Sequence, residues 1–187
     1  MTKLLLILIL TFSIQTKINA DDIRDFEIEG MSIGDSALDY FSKKVIKKNK
    51  QNWYKDKKFY GVEINIQSEK YDRLQLHFKT GDKKYIIHAV GGIVFYKKNI
   101  NDCYVLKKII DNDMKNLFTN VRISNKGKRK HPADKSGKSF TTDTFYFVNN
   151  GNVFTSCYDW SKKTKFWDNL RLIANTNEID RWYSGAY

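Results

Sequence analysis

The sequence of 187 residues contains a single proline and ten glycines, which excludes collagen-like and proline-rich linker architectures. Its two cysteines are too few for a disulfide-dense scaffold or for a zinc site with four thiolates. Three histidines leave little material for a metalloenzyme, and we expect no metal and no cofactor. Hydrophobic residues make up 41% of the chain, which is enough to form a core, so a wholly disordered chain is not expected.

The longest apolar stretch stands at the N-terminus. Residues 1–20 combine a lysine at position 3, an apolar run from Leu4 to Ile14 and a small residue, Ala20, at the end. This is the three-part layout of a secretory signal peptide. The apolar run covers about 11 residues, fewer than the roughly 20 that a membrane span needs. The sequence therefore predicts cleavage near Ala20 and a periplasmic or secreted protein; the alternative is an uncleaved anchor or a buried helix.

The predicted mature chain, residues 21–187, is strongly basic. Its net charge is +10, compared with +12 for the whole chain, because Lys3 and Lys17 are removed. Little ATP or NAD(P)H is present outside the cytosol, so we expect no nucleotide cofactor. Cysteines in an oxidising compartment tend to pair, which predicts a disulfide between Cys103 and Cys157; two separate buried thiols are the alternative.

Hydrophobic periodicity predicts a single α+β domain over residues 21–187. Period-two alternation indicates antiparallel strands with one wet face, and apolar residues at helical spacing indicate helices near 33–48 and 101–118. The order helix, three strands, helix, three or four strands suggests two αβββ halves, with the helices covering one face of the sheet. The predicted strands are Phe59–Gln67, Tyr71–Lys79, Lys84–Tyr96, Val121–Ser124, Thr144–Asn149, Val153–Trp160 and Asp168–Thr176.

Glycines mark the turns between these strands. Gly81-Asp82 and Asn150-Gly151 are typical of tight hairpins. Gly91-Gly92 interrupts a predicted strand and indicates a bulge or a bend.

The segment 124–139 has no apolar periodicity, which predicts a mobile loop. Clustered cations of this kind can bind an anionic polymer, a membrane surface or an envelope protein; the alternative is an ordinary solvated surface. The candidate anion-binding residues are Lys126, Lys128, Arg129, Lys130, Lys135 and Lys138.

Two overlapping motifs near the N-terminus raise the possibility of serine chemistry. Residues 30–34 match G-x-S-x-G around Ser32, and residues 34–37 around Ser36 resemble the opening block of GDSL hydrolases. The later Asp-x-x-His and Gly-x-Asn-Asp blocks of that family have no counterpart, and a helix cap explains Ser32 without catalysis. We therefore assign no catalytic residue, and a secreted serine hydrolase that uses Ser32 or Ser36 is the alternative.

The predicted strands place His77 and His88 next to each other. No carboxylate or thiol stands at a spacing that would complete a metal site, so we interpret them as histidines on a sheet face.

The segments Ile23–Asn49, Cys157–Trp160 and Asn169–Asn175 resemble an uncharacterised family of small exported proteins from AT-rich marine bacteria. That resemblance implies export and one fold, and no activity. Gly30–Phe78 more weakly resembles SmpA/OmlA-type and β-lactamase-inhibitor-like domains, which bind proteins. We therefore expect an exported, non-enzymatic binding or envelope-associated protein.

Overall fold

The protein is α+β, as predicted. A computed structural model describes residues 22–183 and 185, and the predicted signal peptide lies outside these residues. Two 3-10 turns, Ile23–Asp25 and Ala37–Asp39, accompany the regular elements. In chain order these are β1 (Glu27–Ile28), β2 (Met31–Ser32), α1 (Lys43–Lys48), β3 (Phe59–Asn65), β4 (Arg73–Lys79), β5 (Ala89–Tyr96), α2 (Ile100–Leu117), β6 (Arg122–Lys130), β7 (Phe140–Val148), β8 (Gly151–Asp159), β9 (Asp168–Thr176) and α3 (Asn177–Tyr183).

Strands from both halves of the chain form one seven-stranded sheet in the order β3-β4-β5-β9-β8-β7-β6. All neighbouring strands are antiparallel. The meander β3–β5 meets the meander β6–β9 at the β5–β9 pair, and α2 carries the chain from the centre of the sheet to its far edge. The second half therefore has four strands, so the αβββ pattern describes the first half alone.

One face of the sheet forms the main hydrophobic core beneath α1 and α2. Asn99 caps α2 by accepting a hydrogen bond from the backbone N–H of Asn101. The disulfide between Cys103 of α2 and Cys157 of β8 fixes the helix to the sheet, as predicted. The core side chains from the sheet include Val62, Leu74, Leu76, Val90, Tyr146, Val153, Leu172 and Ala174.

A buried ion pair also joins α2 to this face. Lys107 is 5% exposed and donates to Asp111 at 2.6 Å and to the hydroxyl of Thr144 at 2.7 Å. Asp111 additionally accepts hydrogen bonds from Thr144 and Thr155. The charges are therefore paired and bonded, as burial requires.

The predicted helix over 33–48 is wrong in its first half. Gly34 adopts a left-handed φ of 97°, and its N–H donates to the carbonyl of Ile87. Ser36 pairs with Ile86 in an isolated bridge, so this stretch is held in extended form against the segment before β5. Only the 3-10 turn and α1 are helical, and Ser42 caps α1.

The predicted loop over 124–139 is wrong over 124–130, which belong to β6. This strand lies at the sheet edge and its side chains are largely exposed, so no apolar alternation marks it in the sequence. Gly127, with φ of 60°, adjoins a register shift after Asn125. Residues 131–139 form the turn into β7, closed by a bond from the N–H of His131 to the carbonyl of Ser139.

Gly91 and Gly92 form no bulge, because β5 keeps a regular register with both neighbours. They instead permit close packing on the two faces: a Cβ at Gly92 would lie 2.2 Å from the ring of Tyr71, and one at Gly91 would lie 2.5 Å from Cγ1 of Ile173. The β7–β8 hairpin turns at residues 149–150, with Asn150 at φ of 63°, one residue before the predicted pair.

Candidate functional site

The face of the sheet opposite α2, here called the open face, carries a polar stripe. Alternation along the strands places Arg73, Gln75 and His77 of β4 on this face together with Asn169 and Arg171 of β9. Loops rise around the stripe and enclose a cavity of about 570 Å³, here called the aromatic cleft. A volume of this size lies within the usual range for small-molecule sites.

Aromatic side chains form the walls of the aromatic cleft. Most come from the connection before β3, from β5 and from the loop between β8 and β9, and they include Trp53, Phe95, Trp160, Phe166 and Trp167. The rings contact one another: Trp160 and Phe166 lie 4.7 Å apart, and Phe95 meets Trp167 edge-on at 5.6 Å between centroids. Phe166 and Trp167 remain 56% and 49% exposed, so apolar ring surface faces the solvent.

Trp53 reaches its position because β3 has a glycine, Gly61, beneath the indole. A Cβ at Gly61 would lie 2.3 Å from Cζ3 of Trp53, so only glycine lets the indole lie flat on the strand. The indole Nε1 of Trp160 is buried, and no described residue accepts a hydrogen bond from it.

Arg171 lies at the floor of the aromatic cleft and is held from two sides. Its Nε donates to Asn169 at 2.9 Å, and its Nη1 donates to Gln75 at 2.7 Å. The guanidinium stacks on the ring of Tyr158 at 4.5 Å from the centroid. Its Nη2 makes no hydrogen bond within residues 22–183, since the nearest carboxylate, that of Glu63, is 3.9 Å away.

Arg73 and Glu63 continue the polar floor toward the sheet edge. Nη1 of Arg73 donates to Glu63 at 3.1 Å, and Nε donates to Asn65 at 2.8 Å. Two guanidinium groups thus share the single carboxylate of Glu63, which leaves one net positive charge on the floor. The exposed Lys165 adds a second cation at the rim.

His77 lies beneath the aromatic cleft and is fully buried. Its Nε2 is 3.0 Å from the hydroxyl of Tyr54, and the hydroxyl of Tyr183 lies 3.3 Å from the same atom. Burial, together with the positive charge of Arg171, lowers the pKa of His77 from 6.5 to about 3. The imidazole is therefore neutral at physiological pH and positions the phenols around it.

His131 packs on the opposite wall, 4.3 Å from Trp160 and 5.1 Å from Tyr158 between ring centroids. Burial and the nearby Arg171 lower its pKa to about 4, against the opposing effect of Asp143 and Asp134. This side chain is also neutral at physiological pH.

The predicted anion-binding residues do not form one patch. Lys128 and Arg129 are consecutive in β6 and therefore point to opposite faces of the sheet. Each is paired: Lys128 with Asp159 at 3.0 Å, and Arg129 with the buried Asp143. The other four residues, Lys126, Lys130, Lys135 and Lys138, are exposed. Their role in anion binding stays a prediction.

The two candidate serines contact the backbone. Ser36 donates to the carbonyl of Lys84 at 2.8 Å and accepts from the N–H of Leu38, so it caps a 3-10 turn. The hydroxyl of Ser32 lies 3.5 Å from the carbonyl of Phe26, and its backbone N–H donates to Asp35. Neither hydroxyl forms a hydrogen bond with a histidine of the described chain.

His77 and His88 lie on neighbouring parts of the chain but do not build a metal site. His88 packs against Phe59, 5.2 Å between ring centroids, whereas His77 is bonded to phenols. Residues 22–183 contain no group of three or more histidine, cysteine, aspartate or glutamate side chains placed to hold a metal ion.

Part of the floor of the aromatic cleft could be predicted from the alternation of residues along the strands. The alternation of β4 placed Gln75 and His77 on one face, and that of β9 did the same for Arg171, but strand order was needed to bring them together. The three wall residues Trp160, Phe166 and Trp167 lie between predicted strands or at their ends, where periodicity carries no information.

Comparison with protein-family models, with curated proteins and with solved structures gives no match to this chain. The resemblances carried by Ile23–Asn49 and Gly30–Phe78 therefore stay predictions. Within the described part of the chain, no helix has the length and hydrophobicity needed to cross a membrane.

Proposed function

We propose that this chain is an exported, non-enzymatic binding protein that holds an anionic ligand in the aromatic cleft. The observation that carries this proposal is the state of Arg171. Its guanidinium is fixed by Gln75 and Asn169 and stacked on a ring, yet its Nη2 edge has no hydrogen-bond acceptor among the described residues.

A guanidinium that is shielded from solvent and already oriented binds an anion more strongly than an exposed surface lysine does. The side chain of Arg171 is only 16% exposed, so solvent screens it weakly. A hydrogen bond to a charged group contributes roughly 1.5–3 kcal/mol, and Nη2 of Arg171 has N–H donors that no described residue accepts. Because Gln75 and Asn169 already orient the group, little side-chain entropy is lost on binding.

The exposed cations of 126–138 are weaker candidates for specific binding. Solvent-exposed charges are screened by salt, and their side chains must be ordered when a ligand binds. They can still attract an anion toward the protein and increase the rate of association.

Tryptophan fluorescence provides the test. Three of the four tryptophans, Trp53, Trp160 and Trp167, line the aromatic cleft, so a ligand bound there should change the emission. The mature chain is titrated with polyphosphate, poly-glutamate and polygalacturonate at equal ionic strength. At least one should bind, and Arg171→Gln should weaken that binding by about tenfold or more, which corresponds to about 1.4 kcal/mol.

Arg122→Gln is the matched control. Arg122 also stacks on a ring, that of Phe147, but it lies at the sheet edge outside the aromatic cleft. The control should bind like the unaltered protein. Equal losses in the two variants, or no binding of any anion, would contradict the proposal. Export is tested separately, by recovering a chain that starts at Asp21 outside the cytosol.

The serine hydrolase alternative is tested with a serine-reactive probe. Stoichiometric labelling of Ser32 or Ser36 would favour the enzyme, and loss of labelling in the Ser36→Ala variant would identify the nucleophile. The backbone hydrogen bonds of Ser36 support its role as a cap instead.

A further inference from the structure

A second cavity adjoins the aromatic cleft at the end of β5. It has a volume of about 490 Å³ and lies beside the start of α2, and it is here called the α2 groove. The α2 groove shares Arg73, Phe95 and Trp167 with the aromatic cleft, so the two cavities adjoin at these three side chains. Together they form one continuous path.

Rings and cations alternate along this path. Arg73 lies over Phe95 at 5.0 Å from the ring centroid, and Lys97 lies over Trp167 at 4.0 Å. Arg171 stands at one end of the path, and Lys98 adds a further cation at the other. The path thus offers repeated positive groups, and those of Arg73, Lys97 and Arg171 each lie over an aromatic ring.

Carboxylates also line the path, and they limit what can bind. Glu63 lies in the aromatic cleft, and Asp72 and Asp102 lie in the α2 groove. An ionised carboxylate can accept about four hydrogen bonds, and Glu63 receives one from Arg73. The remaining acceptor capacity suits a ligand that brings hydroxyl donors as well as acid groups.

These features together point to one ligand class. We infer that the anionic ligand is a chain of uronic acid residues that runs from the aromatic cleft over Arg73 and Trp167 into the α2 groove. This inference rests on the proposed function. Each residue of such a chain carries one carboxylate for a cation, hydroxyls for the acceptors, and an apolar ring face that can pack on an aromatic side chain.

A single-stranded nucleic acid is the competing occupant, since it also uses cations and aromatic stacking. Its backbone has one phosphate per nucleotide, and DNA lacks free hydroxyls along the chain. The carboxylates of Glu63, Asp72 and Asp102 would repel its phosphates, and only the base edges could donate hydrogen bonds to them. The mixed charge of the path favours the uronate chain.

The experiment measures affinity against chain length by tryptophan fluorescence and calorimetry. The probes are the dimer and tetramer of galacturonate and of mannuronate, their methyl-esterified tetramers, and an octamer of thymidylate. We expect a uronate tetramer to bind about tenfold more tightly than its dimer, because a longer chain places more carboxylates and ring faces along the two adjoining cavities. Methyl esterification should weaken binding by about tenfold or more, because it removes the negative charge.

Variants separate the two ends of the path. The double variant Lys97→Gln/Lys98→Gln should reduce tetramer affinity to that of the dimer and leave the dimer unchanged. Arg171→Gln should weaken both. Lys108→Gln/Lys115→Gln removes the same charge from exposed positions of α2 and should leave both affinities unchanged.

The inference would be overturned by equal binding of dimer and tetramer, by equal binding of acid and ester, or by tighter binding of the thymidylate octamer than of either uronate tetramer. Absence of binding by both uronates would also overturn it. If polyphosphate or poly-glutamate then bound in a manner that depended on Arg171, the proposed function would stand without the uronate assignment. If no anion depended on Arg171, both would fall.

Discussion

The buried histidines should make the protein less stable as the pH falls from about 7.5 to about 5. His77 has its pKa lowered from 6.5 to about 3, and His131 has its pKa lowered to about 4. The unfolded chain therefore takes up a proton on each ring below about pH 6.5, whereas the folded protein does not. Because the unfolded state binds more protons in this range, its free energy falls relative to that of the folded state.

The size of the effect follows from the two pKa values of each ring. Between about pH 7.5 and about pH 5, protonation of one such histidine stabilises the unfolded state by about 2 kcal/mol relative to the folded state. His77 and His131 together should therefore lower the free energy of unfolding by up to about 4 kcal/mol. Carboxylates with lowered pKa values, such as Asp134 at about 2, lose their contribution only at lower pH.

The assay is urea unfolding followed by tryptophan fluorescence at several pH values. His77→Gln keeps a hydrogen-bonding group near Tyr54 but cannot take up a proton in this pH range. His131→Gln likewise keeps a hydrogen-bonding group at its own position and cannot take up a proton. Each variant should lose about 2 kcal/mol less than the unaltered protein between about pH 7.5 and about pH 5, whatever its stability at the higher pH. An unchanged pH dependence in His77→Gln would refute the reasoning.

Three further changes test the packing of the fold. Reducing the disulfide, whose cysteines are 54 residues apart, should lower the free energy of unfolding by about 4 kcal/mol by loop entropy, measured by urea unfolding with and without reductant. Asp111→Asn should cost roughly 3–5 kcal/mol because Lys107 stays buried without its counter-charge, whereas Lys107→Met/Asp111→Leu should cost less; the opposite ranking would contradict this account. Gly92→Ala should lower the melting temperature, because its Cβ would lie 2.2 Å from the ring of Tyr71, and Tyr71→Ala in the same chain should restore part of the loss.

Strands with one apolar face could be predicted from the sequence, and strands without one could not. The bounds Asp168–Thr176 agree with β9, a strand that lies at the centre of the sheet and alternates regularly. Only the start of β6 was predicted, as Val121–Ser124, because an edge strand with one partner can leave both of its faces in water. The first half of the helix expected over 33–48 is wrong because its apolar spacing at Ile33 and Ala37 serves a segment that is bonded to 85–87.

The disulfide was predictable because each cysteine lay on the buried side of its own element. Cys103 falls on the apolar stripe of α2, and Cys157 falls on the core side of β8, so both faced the same layer once the helix covered the sheet. That inference needed only periodicity and the expectation of an oxidising compartment. It did not need the order of the strands.

The aromatic cleft depends on information that periodicity does not contain. Arg171 contacts Gln75 across the intervening strand β5, and this is possible because β9 lies beside β5 in the sheet. The open face of β5 carries Gly91 directly opposite Gln75, so no side chain stands between the guanidinium and the amide. The same glycine leaves room for Ile173 to lean over the strand, where a Cβ would come within 2.5 Å. A glycine that the sequence marks as an interruption is thus the feature that lets the two halves of the chain share one polar floor.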